Sequence, residues 1–329
     1  MTRGLPTQLE GVRVTQAKKP LSRTQKAWLR FRRQWILQVF ALSGIFFLFV
    51  FSYIPMFGLS IAFRHFRVQY GLMGFFNAPL VGFRWFQEFF NDIVFWEVIR
   101  NTVVLSVLRL IFIFPLPILF AIALNELRRI KFKRVVQTVS YLPHFISWVV
   151  VSGMIFSFFN IHTGLVNRLL LQWGWIDSPM NILSSAQAFW PMVIVADIWK
   201  GLGWSAIIFL AAIAGVDQEL YEAAVVDGAG RLRRIWHITL PYMKGTVVIL
   251  LILNIGGLMH GNFEQSWLLG NSANISRSEI IPTYVMRVGL SQMRFSFATA
   301  IGLFQSVIAL FLVLGSNFAA RKISGTSLI

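Results

Sequence analysis

The feature that most constrains this chain is the stretch from Trp35 to Phe63, "WILQVFALSGIFFLFVFSYIPMFGLSIAF", which contains no charged residue. At about 1.5 Å per residue, a helix of this length exceeds the roughly 30 Å hydrocarbon core of a bilayer. A secretory signal peptide has an apolar core of only about 7–15 residues. The stretch is therefore interpreted as a retained membrane span whose end, past Pro55, projects beyond the membrane.

Further apolar stretches give the chain the composition of a polytopic membrane protein. Only 13% of its 329 residues are charged, against about 25% in a soluble protein. We predict an all-α fold with six transmembrane helices. Two prolines in the second, within "FIFPLPILFAIAL", predict a kink that neighbouring helices would make tolerable. The five spans that follow the first are predicted near residues 98–124, 136–158, 187–213, 246–269 and 297–319.

The predicted organisation has four parts along the chain. An N-terminal tail (1–34) precedes the first span and an external loop (35–97), then the main membrane region (98–322) and a short C-terminal tail (323–329). The external loop is rich in aromatic residues, as in "GFRWFQEFF". Such residues favour the headgroup zone of a membrane, but contact with an external partner would explain them as well.

The distribution of charge predicts the orientation of the chain. Its formal net charge is +17, yet the basic residues gather beside the apolar spans, which argues against a nucleic-acid partner. On the side of the termini we count 20 Lys and Arg residues, against seven on the opposite side. The positive-inside rule then predicts a multi-pass protein with both termini in the cytoplasm.

Metal binding is not predicted from this sequence. The chain has no cysteine, so neither a disulfide framework nor a thiolate metal site can form. Its five histidines are scattered and do not show metal-ligand spacing.

One polar segment stands out between the fourth and fifth spans. We call Asp217 to Lys244, "DQELYEAAVVDGAGRLRRIWHITLPYMK", the amphipathic segment; its eight charged side chains prevent it from crossing a bilayer. Asp217 can cap a helix by accepting amide hydrogen bonds. Leu220, Ala223 and Ala224 then form an apolar stripe at helical spacing.

The second half of the amphipathic segment predicts a reversal of the chain. The glycines of "DGAG" allow a sharp turn, a second short helix follows in "RLRRIWHIT", and Pro241 is placed to start the return span. Helical spacing alone leaves two interpretations open. The hairpin either packs on its own membrane domain or enters the cleft of a partner.

The amphipathic segment carries a motif that resembles a known family. Its residues fit E-A-A-x(3)-G-x(9)-I-x-L-P, the signature of permease subunits of type I ABC importers. In that family the segment is the coupling helix, which docks in a groove of the cytoplasmic ATPase. The resemblance extends from about residue 98, where "NTVVLSV" looks like the start of the shared permease core. The matching positions are Glu222, Ala223, Ala224, Asp227, Gly228, Ile238, Leu240 and Pro241.

Residues further along the chain carry a narrower resemblance. "GNFEQSWLLGN" (261–271), "IIPTYVMRVGL" (280–290) and the stretch 295–322 look like the oligosaccharide and polysaccharide branch of sugar permeases. The sequence is also similar to a permease subunit of bacterial alginate importers. This resemblance implies a place in the bacterial inner membrane, a second homologous permease, two ATP-binding subunits, an external solute-binding protein and an oligo- or polysaccharide substrate.

No nucleotide-binding motif is present in the sequence. A phosphate loop needs G-x(4)-G-K-[ST], and neither "GLGWSA" nor "GAGRLR" supplies it. The chain is therefore predicted to be no enzyme and to bind no cofactor. ATP and Mg²⁺ would lie on the partner ATPase.

Polar residues within the spans mark candidate positions along a substrate path, because ionisable groups are costly in a bilayer. Asp197 and Lys200 lie three residues apart and can neutralise each other, whereas Arg109 can pair with a carboxylate of another helix. Nearby glycines predict an irregular fifth span. The candidates are Arg109, Asp197, Lys200, Asn254, His260, Asn262, Glu264, Gln265 and Trp267.

Helical spacing arranges the candidates of the fifth span. Asn254, Asn262 and Gln265 fall in one sector, and His260 and Glu264 form an adjacent pair on another. Each set could bind sugar hydroxyls or merely join helices by hydrogen bonds worth about 0.6–2 kcal/mol. Trp267, with Trp199 and Trp204, could stack on sugar rings or face lipid.

Unpaired cations in the path would suit a polyuronate such as alginate, whose carboxylates need compensation outside water, although a neutral oligosaccharide remains possible. Two other functions fit the sequence less well. An ion-driven secondary transporter would need no docking segment and often shows inverted repeats, which are not seen here. A membrane enzyme acting on glycans would need an assembled set of carboxylates or histidines.

Overall fold

The computed structural model describes residues 28, 31–71 and 73–324. Most of the predicted N-terminal tail (1–34) and most of the C-terminal tail (323–329) lie outside the described residues. Within those ranges the chain is built from helices, with one isolated bridge between Arg64 and Leu80 and no β-strand. The all-α prediction is confirmed. The described chain divides into two compact units, one that ends at Gly58 and one that begins at Leu59.

Within the part of the chain that the structure describes, five helices are long and apolar enough to cross a membrane, and a sixth crossing exists if one bent helix pair forms a single span. We number these six elements as spans 1 to 6 in chain order. They are Trp35–Phe63, Phe95–Asn125, the bent pair Ile130–Phe145 and Trp148–Phe159, Ala186–Ala214, Arg231–Leu269 and Phe295–Lys322. Shorter helices lie at Gly74–Asn77, Arg84–Phe90, Leu165–Gln172, Gln218–Val226, Ile275–Ser278 and Ile281–Met286.

Span 3 differs from the predicted continuous helix over 136–158, because its two parts meet at 98°. Pro143 lies in the last, tightened turn of the first part, and a proline removes a backbone donor that a helix needs to continue. The side chain of Ser147 accepts a hydrogen bond from the Val150 amide and so begins a new helix. The bend therefore follows from local sequence signals that apolarity alone does not reveal.

Three prolines in other spans come shortly after widened, π-helical turns. Pro55, Pro115 and Pro241 each follow such a turn by two residues. A proline ring clashes with the carbonyl four residues earlier, and a turn with an extra residue relieves that contact. The predicted irregularity of span 2 is thus a local widening before its first proline. The three turns are Phe49–Tyr53, Arg109–Ile113 and Ile235–Thr239.

Span 5 is interrupted near its far end, as its glycines predicted. The helix tightens at Leu258–His260, and Asn262 takes a left-handed conformation (φ 65°) before helix resumes at Phe263. The break frees backbone carbonyls, which neighbouring spans satisfy. Ser106 of span 2 donates to the Leu258 carbonyl at 3.0 Å, and Gln305 of span 6 donates to the Met259 carbonyl at 2.5 Å.

Two aromatics of the loop that was predicted to be external belong to a packed core. Trp85 and Phe89 are buried in one cluster with Tyr284 and Phe297, so these two aromatics face neither lipid nor a partner. The Tyr284 hydroxyl donates to Asp92. Burial, together with this carboxylate, raises the pKa of Tyr284 well above its ordinary value, which keeps the hydroxyl protonated as a donor.

Candidate functional site

The amphipathic segment begins with a helix that exposes its apolar stripe. Asp217 accepts a hydrogen bond from the Glu219 amide at 3.0 Å, which confirms it as the helix cap. Within the described helix Gln218–Val226 no residue is buried, and Leu220 is 51% and Val226 87% exposed. The stripe therefore does not pack on this chain, which leaves it free to meet a partner.

The turn after this helix requires glycine. Gly228 has φ +76°, a left-handed conformation, and a Cβ atom there would meet no atom within 4 Å. The turn is thus both conformationally restricted and open to its surroundings. Glu222, Ala223 and Asp227, which belong to the same part of the motif, are exposed as well.

The other half of the motif packs against the membrane spans. Leu240 and the neighbouring Ile235 contact a buried cluster that includes Phe209 and Met243, and Ile238 is half-buried. The prediction of a separate second short helix is wrong, because the chain is helical from Arg231 into span 5. The widened turn before Pro241 lets the helix continue through the proline.

A cavity of about 500 Å³ brings together four of the predicted path residues from three spans. Arg109 comes from span 2, Asp197 and Lys200 from span 4, and Asn254 from span 5. The cavity is both polar and aromatic, which is the lining expected for a sugar. Its other polar and aromatic lining residues are Phe114, His144, Trp148, Trp204, Ser205 and Phe209.

Arg109 is the centre of a polar network that joins three parts of the fold. Its guanidinium lies 3.4 Å from the Asp197 carboxylate and donates to the Asn262 side chain at 2.6 Å. Asn262 in turn donates to Gln265. Arg109 therefore does pair with a carboxylate of another helix, as one interpretation of the sequence held, and Asp197 is compensated by Arg109.

Lys200 is held differently from Arg109. Its ammonium donates to the His144 carbonyl at 2.6 Å and lies 5.5 Å from the ring centroid of Trp148. Among the described residues no carboxylate forms an ion pair with it. Asp197 and Lys200 therefore do not form the ion pair that one interpretation of the sequence held open.

The arrangement predicted for span 5 is only partly present. The prediction that Asn254, Asn262 and Gln265 lie on one side of the helix assumed a continuous helix. The break at Asn262 removes that regular spacing. Asn262 and Gln265 are buried in the Arg109 network, whereas Asn254 lines the cavity and donates to the Leu250 carbonyl of its own helix. The helix break separates the residues that regular spacing would have aligned.

The remaining candidates of span 5 do not line the cavity. His260 lies 3.2 Å from the Gln305 amide, and no described ion pair joins it to Glu264, whose side chain is exposed. The expected His260 and Glu264 pair is therefore not formed. Trp267 stacks on Phe263.

Two cavity residues, His144 and Trp148, were missed from the sequence. The His144 ring lies parallel to Trp204 with centroids 4.4 Å apart, and Trp148 faces Lys200. Both flank the bend of span 3. The Leu-Pro-His sequence was the available signal, because a break in a transporter helix often lines a cavity.

The chain matches one family over most of its length. Residues 113–324 match the family described as "Binding-protein-dependent transport system inner membrane component". Protein LplB of Bacillus subtilis (strain 168) is 43% identical over 291 residues, which cover 88% of this chain and 90% of that protein. The polygalacturonan/rhamnogalacturonan transport system permease protein YteP of the same organism is 43% identical over 290 residues, with 88% and 89% covered.

Two solved structures are also similar. One is a bacterial alginate ABC transporter in complex with its alginate pentasaccharide-bound periplasmic protein; the TM-score is 0.83 at 38% identity, and the match covers 92% of this chain and 99% of that one. The other is a bacterial ABC transporter involved in the import of the acidic polysaccharide alginate, with a TM-score of 0.84 at 37% identity and coverage of 91% and 99%.

Proposed function

Because this chain belongs to the family of binding-protein-dependent transport system inner membrane components, we propose that it imports acidic oligosaccharides as one permease of an ATP-driven transporter. The family consists of transport permeases and not of enzymes. The proposal adds three points to that membership: the charge of the substrate, the part that couples to ATP, and the partner subunits.

The proposed substrate class rests on the hydrogen-bond donors that Lys200 has available. An ammonium group has three donors, and one of them bonds to the His144 carbonyl. Arg109, by contrast, already shares its charge with Asp197. Lys200 therefore has both charge and donors available for an acid group that enters the cavity.

An acidic glycan needs such compensation more than a neutral one does. A carboxylate that leaves water without a partner carries a desolvation cost of several kcal/mol, whereas a hydroxyl loses about 1–3 kcal/mol. The polymers named for the relatives are consistent with this class, since YteP is described for polygalacturonan and rhamnogalacturonan and the similar structures concern acidic alginate. An aromatic wall of Trp148 and Trp204 would contact the sugar rings.

The exposed half of the amphipathic segment supports docking to an ATPase. An apolar stripe and a glycine turn, both without a covering element in the described chain, suit entry into a partner's groove. We propose that two ATP-binding subunits, which hold ATP and Mg²⁺, move this segment and so switch the cavity between the two membrane faces. A second homologous permease would complete the pathway, and an external binding protein would deliver the glycan.

We also propose that the termini and the amphipathic segment face the cytoplasm. The basic residues that flank the spans favour a cytoplasmic position for both termini and the amphipathic segment under the positive-inside rule. ATP is available on that side, so orientation and docking are mutually consistent. Labelling of a cysteine introduced at Asp227 from one side of intact cells would test it.

The direct test uses the chain assembled with its own ATPase and second permease in proteoliposomes. Saturated trigalacturonate and the neutral trisaccharide maltotriose are each presented with a binding protein that carries them, and ATP hydrolysis and sugar uptake are measured. We expect the acidic sugar to be preferred by about fivefold or more, the effect of one charge-assisted contact. Equal uptake of both sugars would contradict an acidic substrate, and uptake without ATP hydrolysis would contradict the mechanism.

A further inference from the structure

Three polar contacts fasten the amphipathic segment to the ends of membrane spans. The Tyr221 hydroxyl lies 2.8 Å from the Thr239 hydroxyl, and the Tyr242 hydroxyl donates to the Gly215 carbonyl at 2.8 Å. A third, weaker contact is the ion pair of Arg231 with Glu126 at 3.9 Å. Two of the three depend on a tyrosine hydroxyl.

These contacts reach three of the four spans that line the cavity. Glu126 follows directly on span 2, and Gly215 directly on span 4. Thr239 is buried in the widened turn near the start of span 5. The amphipathic segment is therefore joined, at its base, to the three spans that contribute Arg109, Asp197, Lys200 and Asn254 to the cavity.

Apolar packing does not hold the first helix of the segment. That described helix has no buried residue, and a glycine lies near each of its ends, at Gly215 and at Gly228. Glycines give the chain conformational freedom at both points. Without a further restraint, a displacement of this helix by a partner would only rotate the backbone at these two glycines.

The two tyrosines supply that restraint at different places. Tyr221, on the exposed helix, bonds across to Thr239 of span 5. Tyr242, on span 5, bonds back to the carbonyl of Gly215 and thereby fixes one of the two glycines. Together they make a closed set of links between the helix, the end of span 4 and the start of span 5.

We propose that Tyr221 and Tyr242 are positioning residues that make the exposed helix move as one body with spans 4 and 5. The inference rests on the proposed docking of the segment to an ATPase. A displacement produced by the ATPase then reaches the cavity instead of bending the chain at its glycines. The hydroxyl groups transmit the movement, and the aromatic rings are not required for it.

The test removes the hydroxyls and keeps the rings. In the assembled transporter, Tyr221→Phe and Tyr242→Phe are expected to keep the ATPase bound and hydrolysing ATP, while sugar molecules imported per ATP fall about fivefold, the effect of one lost hydrogen bond. Tyr53→Phe, in the first compact unit, is the matched control and should keep the wild-type ratio. The readout is the ratio itself, which a general loss of stability would not lower.

A double-mutant cycle sharpens the assignment. Thr239→Val removes the partner of Tyr221, so Tyr221→Phe should have no further effect in that background. Fully additive effects of the two substitutions would overturn the link between them. Loss of the ATPase from the purified complex would also overturn the proposal, because the hydroxyls would then serve assembly and not transmission.

Failure of this inference can be told apart from failure of the docking proposal. If both tyrosine variants keep the wild-type ratio while Gly228→Trp abolishes transport, docking stands and the tyrosine links are refuted. If Gly228→Trp also transports normally, docking itself is refuted, and the inference with it.

Discussion

The amphipathic segment and the cavity are two functional regions built in opposite ways. The exposed part of the segment is a run of consecutive residues, from Asp217 to Gly228, whose helix buries none of its described side chains. The cavity takes its polar and aromatic lining from four spans, with Arg109 and Asn254 separated by more than a hundred residues of chain. One region is defined by local sequence and the other by packing.

This difference shows where each region can fail. A local element tolerates changes elsewhere but depends on its own backbone conformation, as at the left-handed Gly228. A packed site depends on contacts between spans, such as that of Arg109 with Asn262. Substitutions in the two regions should therefore separate coupling to ATP from recognition of the substrate.

The largest effect is expected for Gly228→Trp. A side chain there costs about 1–2 kcal/mol in backbone strain, and its bulk would block entry into a partner's groove. Transport should fall at least twentyfold, roughly the loss of 2 kcal/mol of interaction, while the protein remains inserted. Uptake and ATPase co-purification are the measurements.

Gly174→Trp is the matched control for this substitution. Gly174 also has a left-handed backbone (φ +69°) and open space around it, but it lies outside the amphipathic segment. Its variant bears the same strain and should transport almost normally. Equal losses in both variants would assign the effect to strain and not to docking.

A smaller loss is expected from Gly261→Ala in the cavity region. The new Cβ atom would lie 2.5 Å from the Arg109 guanidinium, whereas at Gly257 it would meet nothing within 4 Å. Displacing Arg109 from Asn262 removes a charge-assisted hydrogen bond, so uptake should fall about tenfold. Gly257→Ala should leave uptake unchanged, and ATPase binding should be intact in both variants. A loss of ATPase binding in Gly261→Ala would contradict the separation of the two regions.

Lys200→Met should change substrate preference and not coupling. The substitution keeps an apolar side chain near Trp148 but removes the ammonium. The KM for an acidic trisaccharide should rise about fivefold, with little change for a neutral one, because the lost contact is charge-assisted. Transport assays with the two sugars in parallel measure this. Equal changes for both sugars would assign Lys200 to packing of span 4 against span 3.

The smallest effect is expected for Asn254→Ala. Its amide donates to the Leu250 carbonyl one turn earlier in the same helix, a carbonyl that a helix already satisfies. Uptake of either sugar should change by less than about twofold. A tenfold loss would instead identify Asn254 as a direct ligand of the sugar.

Local signals explain why much of the fold could be predicted. Long apolar stretches with few charges predict spans because lipid disfavours charged groups, and the spans near 98–124, 187–213 and 297–319 lie within observed helices. The cap at Asp217 and the turn at Gly228 are decided within a few residues. The bend of span 3 and the continuity of helix through Pro241 were missed, because each depends on a balance between a proline and its surrounding turn.

The sequence by itself determined that this protein spans a membrane, and it marked the exposed motif from Glu222 to Gly228, since both properties reside in neighbouring residues. Tertiary structure alone decided that Asp197 compensates Arg109 and that Lys200 has no carboxylate partner in the described chain. The physical reason is that a charge is paired by whatever packing brings within a few ångströms. Sequence separation does not encode that distance.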